Sequence, residues 1–431
     1  MKTIVVKFGG SSLASAGQFE KVADIIRAEP ARRYVVASAP GKRDSADTKV
    51  TDLLYRCYDL ASAKEDFSPV LSQIEARFSD IAAELGLAFD VAGEIAVIRK
   101  HLGHNPQRDY MASRGEYLNS KLLAAFLGYD FLDPAQAVRF FPDGSFDSET
   151  TNENLAAALS GSERCVVAGF YGAFADGTIH TFSRGGSDVT GSLAAAALHA
   201  DLYENWTDVT GILAADPRIV TNPVSIAQLS YEELQALSHV GTQVLHESAV
   251  EPVRRRQIPL QIRNTWQPEL PGTLIGLPRA DCSTEPSIVG FAGRRNLAML
   301  RVFSSGIARQ SGEILKALSL AGLRVFYSAC ALEQLTVLID ADGSSERLHE
   351  CTERLRAGLP EAQLKLRENL SVLAALLRGT DYLPKLVAAV EANGVPVHYL
   401  ADTRPCLLMI VNDSQYEAAL RAAYSSCQII N

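Results

Sequence analysis

Short apolar runs and helically spaced segments alternate along the first part of the chain. Residues 4–8 (Ile-Val-Val-Lys-Phe) are almost continuously apolar, which predicts a buried strand. Residues 18–28 bring Phe19, Val22, Ile25 and Ile26 onto one face at helical spacing. A second apolar run at 34–39 predicts another buried strand, closed by Pro40-Gly41. From 51 to 102 the spacing is helical, and strands return at 165–170 and 202–206 near glycine-containing turns. Short apolar strands separated by helices predict an α/β architecture: a mostly parallel sheet with helices on both faces.

Between Gly276 and Gly290 the texture changes to Pro278, Asp281, Ser283, Thr284, Pro286 and Ser287, which reads as a linker. Beyond it the rhythm is strand 297–303, helix 311–321, strands 324–327 and 334–339, helix 346–355 and strand 363–366. The series then repeats as strand 370–377, helix 383–392, strands 395–400 and 405–411, helix 415–424 and strand 427–430. Two βαββαβ series of about 65 residues predict two α+β ferredoxin-like units. The expected boundaries are 1–277 for a catalytic domain, 278–293 for a linker, and 294–368 and 369–431 for the two units, in succession or interleaved.

A chain of 431 residues has room for about three domains at roughly 150 residues each. Apolar residues at 47% and charged residues at 21% exclude an intrinsically disordered chain. A net charge of −9 gives no basic field for nucleic acid, and Arg254-Arg255-Arg256 reads as a solvated helical turn. No apolar run approaches the roughly 18 residues of a membrane span. The start, Met1-Lys2-Thr3-Ile4-Val5-Val6-Lys7, reads as a strand rather than a signal peptide. Seven cysteines, none at metal-ligand spacing, fit a reducing cytoplasm.

None of the 30 glycines lies two positions from another, so the GxG of Rossmann and protein-kinase loops is absent. GxxxxGK[ST], CxxC, HExxH and GxSxG are absent as well. Lys7-Phe8-Gly9-Gly10-Ser11-Ser12 lies at the C-terminal end of the first strand. Adjacent glycines there let backbone N–H groups approach an anion, and Lys7 would reach phosphoryl oxygens. Taken alone, the motif is equally a tight βα turn with a solvated lysine. A second Gly-Gly pair lies in Thr181-Phe182-Ser183-Arg184-Gly185-Gly186-Ser187-Asp188-Val189-Thr190, before an Ala-rich helix at 192–198. Arg184 offers a planar fork for a carboxylate or phosphate, whereas Ser187 and Asp188 are equally ordinary residues of a helix start. Trp206-Thr207-Asp208-Val209-Thr210-Gly211, followed by Asp216-Pro217-Arg218, is a polar loop able to hold a ribose or base, and is weak alone. Ser113-Arg114-Gly115-Glu116 reads as the opening of a helix over 117–126. Glu116 then falls in the first turn, where capping is the plainer reading and a ligand amine the functional one.

In this order the motifs resemble those of the aspartate kinases in the amino-acid-kinase superfamily. The resemblance continues through Val244-Leu245-His246, Ile258-Pro259 and Arg263-Asn264-Thr265, so it covers roughly residues 1–277. That family carries two C-terminal ACT domains, which the paired βαββαβ series matches in architecture only. The resemblance implies an ATP-dependent phosphotransferase making 4-phospho-L-aspartate, the first step of lysine, threonine and methionine synthesis. It implies catalytic roles for Lys7 and Asp188, and substrate contacts from Ser38, Thr51, Glu116 (α-ammonium), Arg184 (α-carboxylate) and Ser187. ATP would be held by Lys7, Gly9, Gly10, Ser11, Thr207, Asp208 and Arg218, with Mg²⁺ carried by the phosphates and no protein-held metal. It also implies a homodimer or higher homo-oligomer joined through the ACT-like units.

A β-carboxylate is already nucleophilic at neutral pH, so the expected chemistry is alignment and charge neutralisation rather than base catalysis. This agrees with the lack of a His or Cys constellation; His180 reads as a strand residue. Gln243 stands where many aspartate kinases have lysine, and Leu213 where many have tyrosine, so altered nucleotide affinity is expected. The tail keeps little of the family's lysine-sensing pattern at 304–309, 327–334 and 377–381, so weak or no inhibition by lysine or threonine is expected. The alternatives are a kinase for a related amino acid such as glutamate, or a non-catalytic amino-acid sensor.

Overall fold

A computed structural model describes residues 2–183, 185–241, 245–276, 287–341, 343–378 and 383–427. The chain divides into two compact units. The first comprises Met1–Ile212, Ser225–Tyr231 and Val244–Arg279, and the second Leu213–Val224, Glu232–Gln243 and Ala280–Asn431.

The first unit holds strands β1 (Ile4–Phe8), β2 (Arg32–Ala37), β3 (Asp130–Leu132), β4 (Arg139–Phe140), β5 (Phe146–Asp147) and β6 (Cys165–Ala168). It continues with β7 (Tyr171–Ala173), β8 (Ile179–Thr181), β9 (Leu202–Thr207), β10 (Gln228–Ser230), β11 (Leu260–Asn264) and β12 (Thr273–Gly276). Eight of these form one sheet in the order β10-β12-β11-β9-β1-β2-β6-β3, and β5-β4-β7-β8 form a small second one. Every pairing in the large sheet is parallel except β11 with β12. Helices α1 (Ala16–Arg27), α2 (Val50–Ser62), α3 (Ser68–Glu84), α4 (Val91–His104) and α5 (Arg108–Leu127) share a core with Ile4, Val6 and Phe8. Side chains alternate along a strand, so Val5 and Lys7 point to the other face. That face meets α7 (Gly186–Ala197), which follows α6 (Ser148–Ser160).

Beneath β9 lies a buried charge cluster. Arg32 donates to both Glu204 carboxylate oxygens at 2.7 and 3.0 Å, and the Arg263 guanidinium lies 3.5 Å from Glu204. Removing the one carboxylate leaves two guanidinium groups with little water to replace it. Glu204→Ala is therefore expected to lose about 3–5 kcal/mol of unfolding free energy, read as a lowered urea midpoint at unchanged m.

The second unit contains α8 (Tyr231–Val240), apart from its first residue, while α9 (Glu247–Arg255) belongs to the first. Its six-stranded sheet runs β14-β15-β13-β16-β18-β17 and is antiparallel throughout, with β13 (Ser287–Phe303), β14 (Arg324–Ala331), β15 (Gln334–Asp340), β16 (Gln363–Arg378), β17 (Tyr399–Asp402) and β18 (Cys406–Asn412). Two long strands are shared between two ferredoxin-like halves. The later part of β13, from Leu297, pairs with β15 and with the start of β16, over the core of α10 (Ile307–Leu320) and α11 (Ser345–Gly358). The earlier part, Ser287 to Arg294, pairs with Val372–Arg378 of β16, which continues to β18 over α12 (Leu383–Ala392) and α13 (Tyr416–Ser425). The chain changes from one half to the other at Asn296 (φ 58°) and Asn369 (φ 56°). Asparagine tolerates this left-handed geometry better than most side chains.

Several expectations change here. Residues 287–293, read as linker, are strand, because Ile288 and Phe291 enter the core of the second half. The strands expected at 363–366 and 370–377 are one element. A strand is observed at Tyr399–Asp402 rather than from residue 395, and Cys427 lies in a bend, with 428–430 outside the described residues. Among the described residues no helix is long and apolar enough to cross a membrane.

Candidate active site

The site forms where β1 and β2 end. A short 3-10 turn, Gly10–Leu13, follows β1, and the Gly9 N–H donates to the Trp206 carbonyl at 3.0 Å. The next loop lies against it, with the Gly41 N–H donating to the Gly10 carbonyl at 2.8 Å. A Cβ at Gly10 would lie 2.7 Å from the Ala39 carbonyl oxygen, and one at Gly41 only 2.7 Å from the Gly10 carbonyl carbon. Glycine is therefore required on both sides of this contact. Ser38 is held through its N–H to Phe8 (3.2 Å) and its carbonyl from Asn119 Nδ2 (2.7 Å). Thr51 is half-buried in the first turn of α2, and Ser11 is half-buried in the glycine turn.

Lys7 is buried, and its Nζ lies 2.6 Å from Asp188 Oδ1. Asp188 sits in the first turn of α7, so this helix runs from residue 186, earlier than the expected 192. Ser187 precedes it and is buried. The glycine turn, the lysine and the second Gly-Gly motif thus meet, although 181 positions separate Lys7 from Asp188 in the chain.

Glu116 is 7% exposed, and among the described residues its Oε2 has no hydrogen-bond partner. Burial pushes its carboxyl up to about 8, opposed by the Ala39 amide, its own amide and the Lys7 charge. The capping expectation fails, because α5 starts at Arg108 and Glu116 lies well inside it. Gly115 permits the approach, since a Cβ there would lie 2.7 Å from Ala39 Cβ. A buried, half-satisfied carboxylate is costly without a cationic partner.

Residues 2–264 match the Amino acid kinase family. The chain is 34% identical over 363 residues to Aspartokinase 3 of Bacillus subtilis (strain 168), covering 80% of each. It is also 34% identical to the crystal structure of Clostridium acetobutylicum aspartate kinase, with a TM-score of 0.89 over 99% of this chain and 100% of that one. The chain belongs to the aspartokinases of the amino acid kinase family. E. coli aspartokinase III in complex with aspartate and ADP, 23% identical with a TM-score of 0.74 over 99% of each chain, shares the fold.

On this aspartokinase scaffold the remaining expected positions fall differently. Thr207 ends β9, its carbonyl accepting from the Thr265 N–H at 2.9 Å and its hydroxyl facing Asp208 Oδ1 at 3.2 Å. Arg218 belongs to the second unit, where it is exposed and pairs with Asp216 at 2.6 Å. Leu213 also belongs to the second unit. Arg184 and Gln243 lie outside the described residues. His180 is a residue of β8 paired with Asp109 at 2.9 Å and packed against Phe140 and Phe174, as a strand residue would be.

Two groups were not legible in the sequence. Arg77 of α3 is 4% exposed, donates to the carbonyls of Ala14 (3.0 Å) and Gly41 (2.8 Å), and pairs with Asp47. It ties down the loop between Ser38 and Thr51, and hydrogen bonds from Arg43 and Arg77 hold the Asp47 carboxyl well below the usual carboxylate range. Asn205 touches both Lys7 and Asp188. Only the strand register, invisible in local spacing, reveals it. Among the described residues no group of three or more His, Cys, Asp or Glu is gathered for a metal ion.

Proposed function

We propose that this chain transfers the γ-phosphoryl group of ATP to the β-carboxylate of L-aspartate, giving 4-phospho-L-aspartate and ADP. The observation that carries the reading is the Lys7–Asp188 ion pair beside the glycine turn, with the half-satisfied Glu116 carboxylate buried close by. Glu116 takes the α-ammonium of aspartate, which supplies the cation its buried oxygen lacks. Arg184 takes the α-carboxylate as a bidentate fork, with Ser38, Thr51 and Ser187 completing the substrate side. The glycine turn, Gly9-Gly10-Ser11, lies along the phosphates, while Thr207 and Asp208 hold the rest of the nucleotide. Lys7 neutralises charge on the transferring phosphoryl group, and Asp188 holds Lys7 in place.

The β-carboxylate attacks phosphorus, the bond to the bridging oxygen of ATP breaks, and ADP leaves with the electron pair. No proton has to be removed from the nucleophile, so the transfer needs no general base. Mg²⁺ favours oxygen ligands and keeps several waters. Lys7 and Asn205 already engage Asp188 Oδ1, so these residues fit a Mg²⁺ that arrives on ATP. That ion would neutralise phosphate charge. The test is aspartate-dependent ADP release: turnover with aspartate and none above background without it supports the reading, and background rates with aspartate oppose it. An N-acylated acid suits the site less well, because Glu116 calls for a positive group.

A homo-oligomer assembled through the ferredoxin-like units and a cytoplasmic setting, in keeping with the free thiols of the described cysteines, complete the proposal. Feedback control is expected to be weak. Initial rates with millimolar lysine, threonine and both together should stay close to the uninhibited rate. Strong inhibition by either would mean that other residues have rebuilt an effector site.

A further inference from the structure

We infer that Asn205 is a positioning residue for the phosphoryl-transfer step, fixing the Lys7–Asp188 pair through its neutral amide; this rests on the role proposed above for Lys7. In the parallel pairing of β1 with β9, Lys7 lies opposite Asn205 and Val5 opposite Tyr203. Neighbouring residues in such a register share a sheet face. Asn205 is 3% exposed. Its Oδ1 accepts a long hydrogen bond from Lys7 Nζ at 3.4 Å, and its Nδ2 donates to Asp188 Oδ1 at 2.8 Å. Only one orientation of the amide serves both neighbours, because an ammonium can only donate and a carboxylate can only accept. Tyr203, two residues earlier on the same face, donates its hydroxyl to the Asp188 carbonyl at 3.1 Å. Strand β9 therefore grips the first turn of α7 at both its backbone and its carboxylate.

The amide's neutrality matters as much as its shape. Lys7 carries three N–H donors. One faces Asp188 and one faces Asn205, so one remains for a phosphoryl oxygen. Asp188 already offsets most of the ammonium charge at 2.6 Å. A second carboxylate in place of Asn205 would leave the pair net negative and repel the phosphoryl group. Two carboxylates so close would also retain one proton to higher pH than either alone.

The test compares Asn205→Asp, nearly isosteric, with Asn205→Ser, small enough to fit and neutral. Each is measured at saturating aspartate and ATP from pH 5.5 to 9, beside wild type and Lys7→Ala. Asn205→Asp should lower kcat by about 10²-fold at pH 8, and the loss should shrink as pH falls and the new carboxyl protonates. Asn205→Ser should lower kcat by about tenfold without that pH dependence, and KM for both substrates should move less than severalfold. In Lys7→Ala the Asn205→Asp change should cost little further, since it acts through the lysine. A wild-type kcat and pH profile in Asn205→Asp, alongside a large loss in Lys7→Ala, would overturn the role of Asn205 alone. Equal, pH-independent losses in both Asn205 variants would reduce it to packing. Should Lys7→Ala itself keep wild-type kcat, the underlying assignment of Lys7 is what fails.

Discussion

Lys7→Ala should lower kcat by about 10²–10³-fold while changing KM for aspartate far less. The lysine is buried, paired with Asp188, and placed by β1 immediately before the glycine turn. In the ground state its charge is largely offset by Asp188, so its contribution to simple binding is modest. In transfer, negative charge spreads over the phosphoryl oxygens, and a preorganised cation in a dry site gains most there. Steady-state kinetics with both substrates varied check this directly. A raised KM at unchanged kcat would make Lys7 a ground-state binding residue only.

The second large effect concerns Glu116 and pH. Burial raises its carboxyl to about 8, which favours the protonated form around neutral pH. Pairing with an α-ammonium needs the anion, so binding at neutral pH carries the cost of releasing that proton. The sign follows: kcat/KM for aspartate should rise with pH and level off above an apparent pKa near 8. Once aspartate is bound, its ammonium holds the carboxylate ionised, so kcat should be much flatter over the same window. Glu116→Gln should abolish the rising limb and raise KM for aspartate by on the order of 10²-fold, the usual scale for losing one member of a buried charge pair. A flat kcat/KM in the wild type, or an unchanged limb in Glu116→Gln, would remove Glu116 from the ammonium site.

What could be read from the sequence was what is local. Residues 4–8 announced a strand through continuous apolar character, and the lysine and glycines after it marked a turn suited to phosphate. Ser187 and Asp188 were legible at a helix start because the Ala-rich run follows directly. The start of α5 is weakly marked: Gln107 supplies no side-chain cap, and the first-turn Asp109 is a faint signal beside the Ser113-Arg114-Gly115-Glu116 motif. Glu116 then looked like a first-turn carboxylate when it lies deep in a helix, against the Ala39 segment. Asn205 has no local signature, because its importance depends on the strand register that brings it to Lys7, 198 positions earlier. In the second unit the same cause operates: β13 pairs with strand residues as distant as Arg378, and no local pattern distinguishes linker from strand at 287–293.

Phosphoryl transfer to the β-carboxylate of aspartate leaves an acyl phosphate, which hydroxylamine traps. The enzyme is incubated with Mg-ATP and hydroxylamine in the presence of aspartate, glutamate or N-acetylglutamate, and any hydroxamate is quantified and identified by mass. Aspartate β-hydroxamate is expected in amounts matching ADP, with little from glutamate and none from N-acetylglutamate. A hydroxamate formed mainly from another acid, or none from any while the protein remains folded, would contradict it.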